Sequence, residues 1–149
     1  MKVLIHDYPG HAFPVQLARA LAAHGHDVLH VWSATFQSPK GPLARRADDP
    51  PTLRLQPLDL DRPVAKYNFV RRALQEREFG RKLAALVAAE RPEVVVANGP
   101  IDILVPVRAA CRAVGARFVY WLQDFYGIAI DKVVRRKLPV VGAAIGAWY

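Results

Sequence analysis

Polar side chains follow apolar runs at several points along the chain, and these are the residues best suited to bind a ligand. The run FVYWL stops at Gln123 and Asp124, whose amide and carboxylate groups can hydrogen-bond a polar ligand. Other polar or turn-forming residues in this position are His6 and Asp7, Ser33, and Asn98 and Gly99. Asn98 and Gly99 also have a structural explanation as an ordinary turn, whereas Gln123 and Asp124 make a stronger case for a site, with an N-cap of a following helix as the alternative for Asp124.

Metal-binding residue types are present without a metal-binding pattern. His6 and His11 could serve as ligands, but no cysteine or acidic cluster completes a set with recognisable spacing. The single cysteine, Cys111, lies in an alanine-rich, helical context and is expected to be a small buried apolar residue. We therefore predict no metal and no cofactor, and we assign no catalytic residue from these patterns.

The first loop, HDYPGH, is the natural place to look for a phosphate-binding glycine motif. It contains one glycine, Gly10, and lacks GxGxxG, and the chain has no GxxxxGK[ST]. Gly10 would still let the backbone approach a ligand near the N-terminus of the first helix, where free N–H groups favour phosphate. An ordinary tight turn is the alternative interpretation.

Strand and helix patterns alternate along the chain. Strands are predicted over 2–6, 27–32, 53–58, 93–98 and 117–122, and helices between Pro14 and Gly25, over 67–90 with a slip or kink at Gly80, and over about 103–114. Residues 33–51 are expected to form a long loop. This alternation predicts an α/β fold, a Rossmann-like parallel sheet with helices on both faces. The polar strand ends would then lie along one rim.

Composition narrows the class of protein. A chain of 149 residues that is 52% hydrophobic is expected to fold as one domain. The net charge of +8 favours an anionic partner, but no helix-turn-helix, RNP or zinc-finger pattern is present, so nucleic acid is not expected. The sequence has no signal-peptide core and no apolar window of about eighteen residues. With its single cysteine, the chain is predicted to be cytoplasmic.

A basic segment near the end of the sequence has two interpretations. KVVRRK contains Lys132, Arg135, Arg136 and Lys137, and the uncharged run LPVVGAAIGAWY follows it. One interpretation is a solvated basic face followed by a buried helix. The other is a surface that contacts anionic lipid, peripherally at the inner face of the cytoplasmic membrane.

Two long stretches resemble a known family. With KVLIHDYPGHAFPVQLARALAAHGHDVLHVW and PEVVVANGPIDILVPVRAACRAVGARFVYWLQDFY, the chain resembles the N-terminal half of GT-B glycosyltransferases, more narrowly glycosyltransferase family 4 of the colanic-acid and O-antigen type. The resemblance covers nearly the whole chain, and the second stretch is the more specific one. It implies metal-independent, retaining transfer from a nucleotide sugar to a saccharide or lipid-linked saccharide in bacterial surface polysaccharide biosynthesis.

The resemblance also implies roles for particular residues. The loop around Gly10 would approach donor phosphate or acceptor, Asn98 and Gly99 would border the acceptor cleft, and Gln123 and Asp124 would lie near the transferred sugar. Many family members have histidine where this sequence has Gln123. Glutamine can hydrogen-bond a hydroxyl group but cannot act as a base near neutral pH, so the expected role is sugar positioning.

The family's C-terminal donor domain, which binds most of the nucleotide sugar, has no counterpart within residues 1–149. We therefore expect these residues to be a truncated acceptor-side domain that is inactive alone, because half of the facing cleft is missing. One alternative is a non-catalytic Rossmann-like binding module that pairs with a separately encoded donor domain. Another is a flavodoxin-like protein, which would bind a nucleotide tightly by itself.

Overall fold

The computed structural model describes residues 1–65 and 68–123. Strands and helices alternate along this part of the chain: β1 (Lys2–Asp7), α1 (Ala12–Ala23), β2 (Asp27–Ser33), β3 (Leu53–Leu58), α2 (Phe69–Glu90), β4 (Val94–Ala97), α3 (Ile101–Val114) and β5 (Arg117–Tyr120). All the strand pairs are parallel. The predicted fold class, an α/β Rossmann-like parallel sheet flanked by helices, is confirmed.

The strand order β3-β2-β1-β4-β5 makes β1 the central strand. From β1 the chain moves outward through β2 to β3, and α2 then carries it back to the other side of β1, where β4 and β5 follow. The direction of winding therefore reverses between β1 and β4. In open parallel sheets, ligands bind beyond the carboxyl ends of the strands at such a reversal.

Each face of the sheet has its own apolar core. Because successive strand residues point to opposite faces, β1 contributes Val3 and Ile5 to one core and Leu4 to the other. The first core is completed by α1, through Ala18 and Ala22. The second core is completed by α2 and α3, whose buried residues are Phe79, Leu83, Val87, Ile103, Leu104, Val107 and Cys111. Cys111 is thus a buried apolar residue, as predicted.

The element boundaries agree with the sequence predictions to within a few residues. Gly25 and Gly115 follow α1 and α3 with φ angles of +82° and +76°, the left-handed conformation that ends a helix. The strand β1 includes Asp7, one residue more than predicted, whereas β5 ends at Tyr120. The strand β3 has the predicted bounds and occupies one edge of the sheet, as expected.

The segment between β2 and β3 is irregular, as predicted, and it is fastened to the rest of the domain. The Arg19 guanidinium of α1 pairs with the buried Asp49 carboxylate at 2.6 Å, and this hydrogen bond lowers the pKa of Asp49. Arg45 donates to the Leu53 carbonyl at 2.6 Å. These contacts hold the long loop against α1 and the start of β3.

The helix α2 runs without interruption through Gly80, where the sequence suggested a slip or kink. The glycine lies against α3. A Cβ atom at Gly80 would lie 2.8 Å from both the Cα atom and the carbonyl oxygen of Ile103. The missing side chain therefore allows α2 and α3 to pack closely.

Replacing Gly80 with alanine tests this contact. In an unconstrained helix, Gly→Ala stabilises by about 1 kcal/mol. At Gly80 we expect the opposite, a loss of about 1–3 kcal/mol in the free energy of unfolding, because the backbone of α3 must move. Urea denaturation measures the change, with Arg81→Ala at the adjacent exposed position as a near-neutral control. A more stable Gly80→Ala variant would contradict the proposed contact.

Candidate functional site

The carboxyl ends of β1 and β4 are joined by a buried side-chain bridge. The Asn98 side-chain amide donates through Nδ2 to Oδ1 of Asp7, and its Oδ1 atom accepts from the Tyr8 backbone N–H at 3.2 Å. Asp7 is fully buried and Asn98 is 3% exposed. The bridge therefore fixes the relative position of the two strands at the point where the winding reverses.

The second carboxylate oxygen of Asp7 accepts a hydrogen bond at the start of the first helix. Its Oδ2 atom accepts from the backbone N–H of His11, the N-cap residue of α1, which makes no side-chain cap of its own. Negative charge is favourable at a helix N-terminus, where unpaired N–H groups are concentrated. Asp7 thus occupies, from within the protein, the position at which a ligand anion would bind such a helix.

The loop at Gly10 is covered by a part of the long loop that we call the cover segment, Ser38–Leu43. The Gly41 N–H donates to the Gly10 carbonyl at 2.7 Å, and a Cβ atom at Gly41 would lie 2.5 Å from the Ala12 Cα atom. Gly10 has a φ of +79°, and a Cβ atom there would lie 3.1 Å from the Leu43 side chain. The protein's own chain thus lies against this loop, and contact of the Gly10 backbone with a ligand stays a prediction.

Lys40 ties the cover segment to two strand ends. Its Nζ atom donates to the Pro9 carbonyl at 2.8 Å and to the Ser33 carbonyl at 2.7 Å, and the Ser38 hydroxyl donates to the same Pro9 oxygen at 2.6 Å. Burial lowers the pKa of Lys40, and the nearby Asp7 carboxylate works in the opposite direction. The ammonium group is therefore engaged by the protein's own backbone.

Asn98 and Gly99 lie at the rim, as the sequence predicted. Both polar ends of the Asn98 amide are used inside the fold, so its observed role is to set the shape of the rim. Gly99 has a φ of +130°, and a Cβ atom there would lie 3.4 Å from the Tyr8 side chain. These features explain the Asn-Gly turn structurally. Direct contact of either residue with a ligand stays a prediction.

The end of β5 meets the beginning of α1. The Trp121 N–H donates to the Ala97 carbonyl at 2.9 Å, which extends the pairing with β4 by one residue. The Trp121 ring lies edge-on to the Phe13 ring at 5.5 Å, and Phe13 stacks on His11 at 5.7 Å. Gln123 follows two residues later, and its Nε2 atom is buried without a hydrogen-bond partner in the described part of the chain.

The remaining predicted site residues lie outside the described residues. These are Asp124 and the basic residues Lys132, Arg135, Arg136 and Lys137. Their roles in sugar positioning and membrane contact stay predictions. Within residues 1–65 and 68–123, no helix is long and apolar enough to cross a membrane, and no three His, Cys, Asp or Glu side chains are grouped as metal ligands.

Two buried histidines lie close to the rim on opposite faces of the sheet. The His6 ring lies 5.5 Å from the Phe79 ring, and the His30 ring stacks on Trp32 at 5.8 Å. Burial lowers the pKa of each histidine to about 4, and the Asp7 carboxylate opposes the shift. Both imidazoles are therefore neutral at pH 7.

The sequence patterns did not identify several of the residues that lie at the rim. Phe13 and Trp121 carried a usable signal, since one is a large aromatic residue in the first turn of a helix and the other directly follows a strand of the same sheet. Lys40 carried none, because residues 33–51 show no periodicity from which their packing could be inferred.

Comparisons with known proteins establish the fold and leave the site unassigned. No family model and no curated protein matches the chain. The C-terminal domain of a hydrogenase from Pyrococcus furiosus is similar in one crystal structure with a TM-score of 0.54 at 18% identity, covering 81% of this chain and 90% of that one. A second structure of this domain gives 0.52 at 20% identity, covering 80% and 90%. At such identities the likeness shows the α/β Rossmann-like fold alone.

The role of the bridge can be tested with Asn98→Ala. The substitution removes one hydrogen bond from the buried Asp7 carboxylate and one from the Tyr8 N–H. We therefore expect a loss of about 3 kcal/mol in the free energy of unfolding. Asn68→Ala is the matched control, because Asn68 caps α2 at an exposed position and should lose about 1 kcal/mol. Urea denaturation gives both values. Equal losses would show that the bridge contributes no more than a surface cap.

The buried histidines predict acid sensitivity. Each has a folded-state pKa of about 4 against an ordinary value of 6.5, so the unfolded chain binds protons first as the pH falls. Stability should be complete above pH 6.5 and decline towards pH 4. A variant carrying His6→Gln and His30→Gln should show a shallower decline in the free energy of unfolding, by at least about 2 kcal/mol over this range.

The control for this measurement is His24→Gln, because His24 is exposed and its replacement should leave the decline unchanged. Arg54, and to a lesser extent Lys2, lowers the pKa of the ion-paired Glu90 to about 2. Glu90 therefore affects the free energy of unfolding at more acidic pH than the histidines do. Its contribution is lost as the pH falls below 4.5. An identical pH dependence in the parent and the double variant would contradict the assignment to the histidines.

Proposed function

We propose that this chain is the acceptor-side domain of a retaining, nucleotide-sugar-dependent glycosyltransferase of bacterial surface polysaccharide biosynthesis. Its acceptor is a saccharide or a lipid-linked saccharide. The proposal is supported by the sequence resemblance over β1–α1–β2 and β4–α3–β5. The structural observation that carries it is the closed N-terminus of α1, where Asp7 and the cover segment take the place of a ligand phosphate.

A dinucleotide needs free N–H groups and an open glycine backbone at the first helix of a Rossmann-like domain. In this chain the His11 N–H bonds to Asp7, and the Gly10 N–H bonds to the Asp7 carbonyl at 3.1 Å. A diphosphate at this position would also be repelled by the buried Asp7 carboxylate. The arrangement favours an uncharged, hydroxyl-rich ligand and weighs against a flavodoxin-like nucleotide-binding function.

The residues then divide into two roles. Asp7 and Asn98 are positioning residues, since both are buried and act by fixing the strand ends. Gln123 donates a hydrogen bond from its amide to an acceptor hydroxyl group and does not act as a base. In the proposed enzyme, charge stabilisation of the leaving nucleoside diphosphate comes from the donor domain that faces this one.

Ligand-observed NMR tests this function. The chain should bind at least one of the methyl glycosides of glucose, galactose, mannose and N-acetylglucosamine saturably, with a millimolar Kd, and should not bind uridine, guanosine or adenosine diphosphate. Gln123→Ala should weaken glycoside binding about fivefold, the equivalent of one hydrogen bond. Gln16→Ala, at an exposed position of α1, is the matched control and should leave glycoside binding unchanged. Nucleotide binding without glycoside binding would refute the proposal.

A transfer assay addresses the enzymatic part of the proposal. When this chain is combined with a donor domain, a labelled sugar should pass from a nucleotide sugar to the glycoside that binds. Gln123→Ala should lower kcat/KM with respect to that glycoside, because the lost hydrogen bond orients the attacking hydroxyl group. Unchanged kcat/KM would remove Gln123 from the site.

A further inference from the structure

Three aromatic rings at the rim form a cluster that the proposed function does not yet use. We call His11, Phe13 and Trp121 the rim aromatic cluster. Phe13 stacks on His11 with 22° between the ring planes, and Trp121 meets Phe13 edge-on at 64°. Phe13 lies in the first turn of α1 and is 45% exposed. An aromatic surface therefore faces solvent beside the carboxyl ends of the strands.

Two polar atoms on the same two stretches of chain have no hydrogen-bond partner within the described residues. The Nδ1 atom of His11 and the Nε2 atom of Gln123 are both buried, and neither makes a hydrogen bond within the described part of the chain. A buried polar atom without a partner costs about 1–3 kcal/mol. A ligand with hydroxyl groups at suitable positions would supply the missing bonds. Aromatic surface with a few polar atoms is the usual composition of a small-molecule site.

We propose that His11, Phe13, Trp121 and Gln123 form a subsite for one pyranose ring of the saccharide. A pyranose ring has an apolar face of C–H groups bordered by hydroxyl groups. The partly positive C–H groups fit against the negative face of an aromatic ring. Bonds from the hydroxyl groups to the His11 and Gln123 nitrogen atoms require these side chains to turn outward on binding, because both atoms are enclosed by the chain in the structure. This assignment rests on the proposed function and adds the side chains that would hold the sugar ring.

Charge distinguishes this ligand from two others. The stretches that form the subsite, PGHAF at 9–13 and WLQ at 121–123, contain no lysine or arginine. The nearby Lys40 ammonium group is bound to the Pro9 and Ser33 carbonyls. These stretches therefore supply no cation for a phosphate group and none of the basic residues that a surface for anionic lipid uses. A neutral sugar ring needs neither a cation nor basic surface residues.

The same methyl glycosides serve as probes, with the Trp121 indole N–H signal followed in a two-dimensional NMR titration. The chain has three tryptophans, so Trp121→Phe identifies this signal. We expect the indole signal to shift saturably with the bound glycoside. Phe13→Leu, which keeps apolar volume without a ring, should weaken binding about five- to tenfold, whereas Phe13→Tyr should bind within about twofold of the parent. Retained spectral dispersion verifies that each variant is folded.

The control is Val119→Ala, because Val119 is an exposed apolar residue of β5 outside the cluster and its truncation should leave binding unchanged. If the parent binds a glycoside and Phe13→Leu binds it equally well, the aromatic subsite is wrong and the proposed function stands. If no glycoside binds the parent, both fail. If Phe13→Leu instead reduces retention on phosphatidylglycerol vesicles and leaves glycoside binding intact, the cluster is a membrane contact and the subsite is overturned.

Discussion

The hydrogen bond between the Asn98 amide and the Asp7 carboxylate is the interaction on which the rest of the rim depends. A buried carboxylate is tolerated only when donors surround it, and within the described residues Asp7 accepts from the Asn98 amide and from the His11 N–H. The first donor links β1 to β4, and the second links β1 to α1. The relative placement of strand ends and helix therefore follows from one charged group held between two partners.

This arrangement differs from that of Rossmann-like domains in which the first helix binds a phosphate. Rossmann-like sheets commonly offer the N-terminus of the first helix to a phosphate. Here the anion is supplied by the protein, and the cover segment packs over the loop that would approach the ligand. The fold is shared with domains of other function, so function must be argued from the site. The contacts of Asp7 and the cover segment at α1, together with the exposed Phe13 ring, are the basis on which we propose an uncharged, hydroxyl-rich ligand.

The fold could be predicted from the sequence because its signals are local. The glycines after α1 and α3 and the alternation within β3 each depend on a few neighbouring residues. The rim could be predicted only in part. Asp7 and Asn98 were recognisable as polar strand ends, but their bridge joins residues 91 positions apart and requires the register of β1 against β4. The packing of residues 38–43 against Gly10 could not be predicted, because no local pattern encodes it.

The closed N-terminus of α1 can be measured directly by amide NMR at His11. If Asp7 holds this N–H group, the His11 amide should exchange with solvent much more slowly than exposed loop amides, and sodium pyrophosphate at millimolar concentration should leave its signal unmoved. A His11 amide that exchanges as fast as an unstructured residue, or that shifts saturably with pyrophosphate, would contradict the account. Either result would mean that the helix N-terminus is open to an anion.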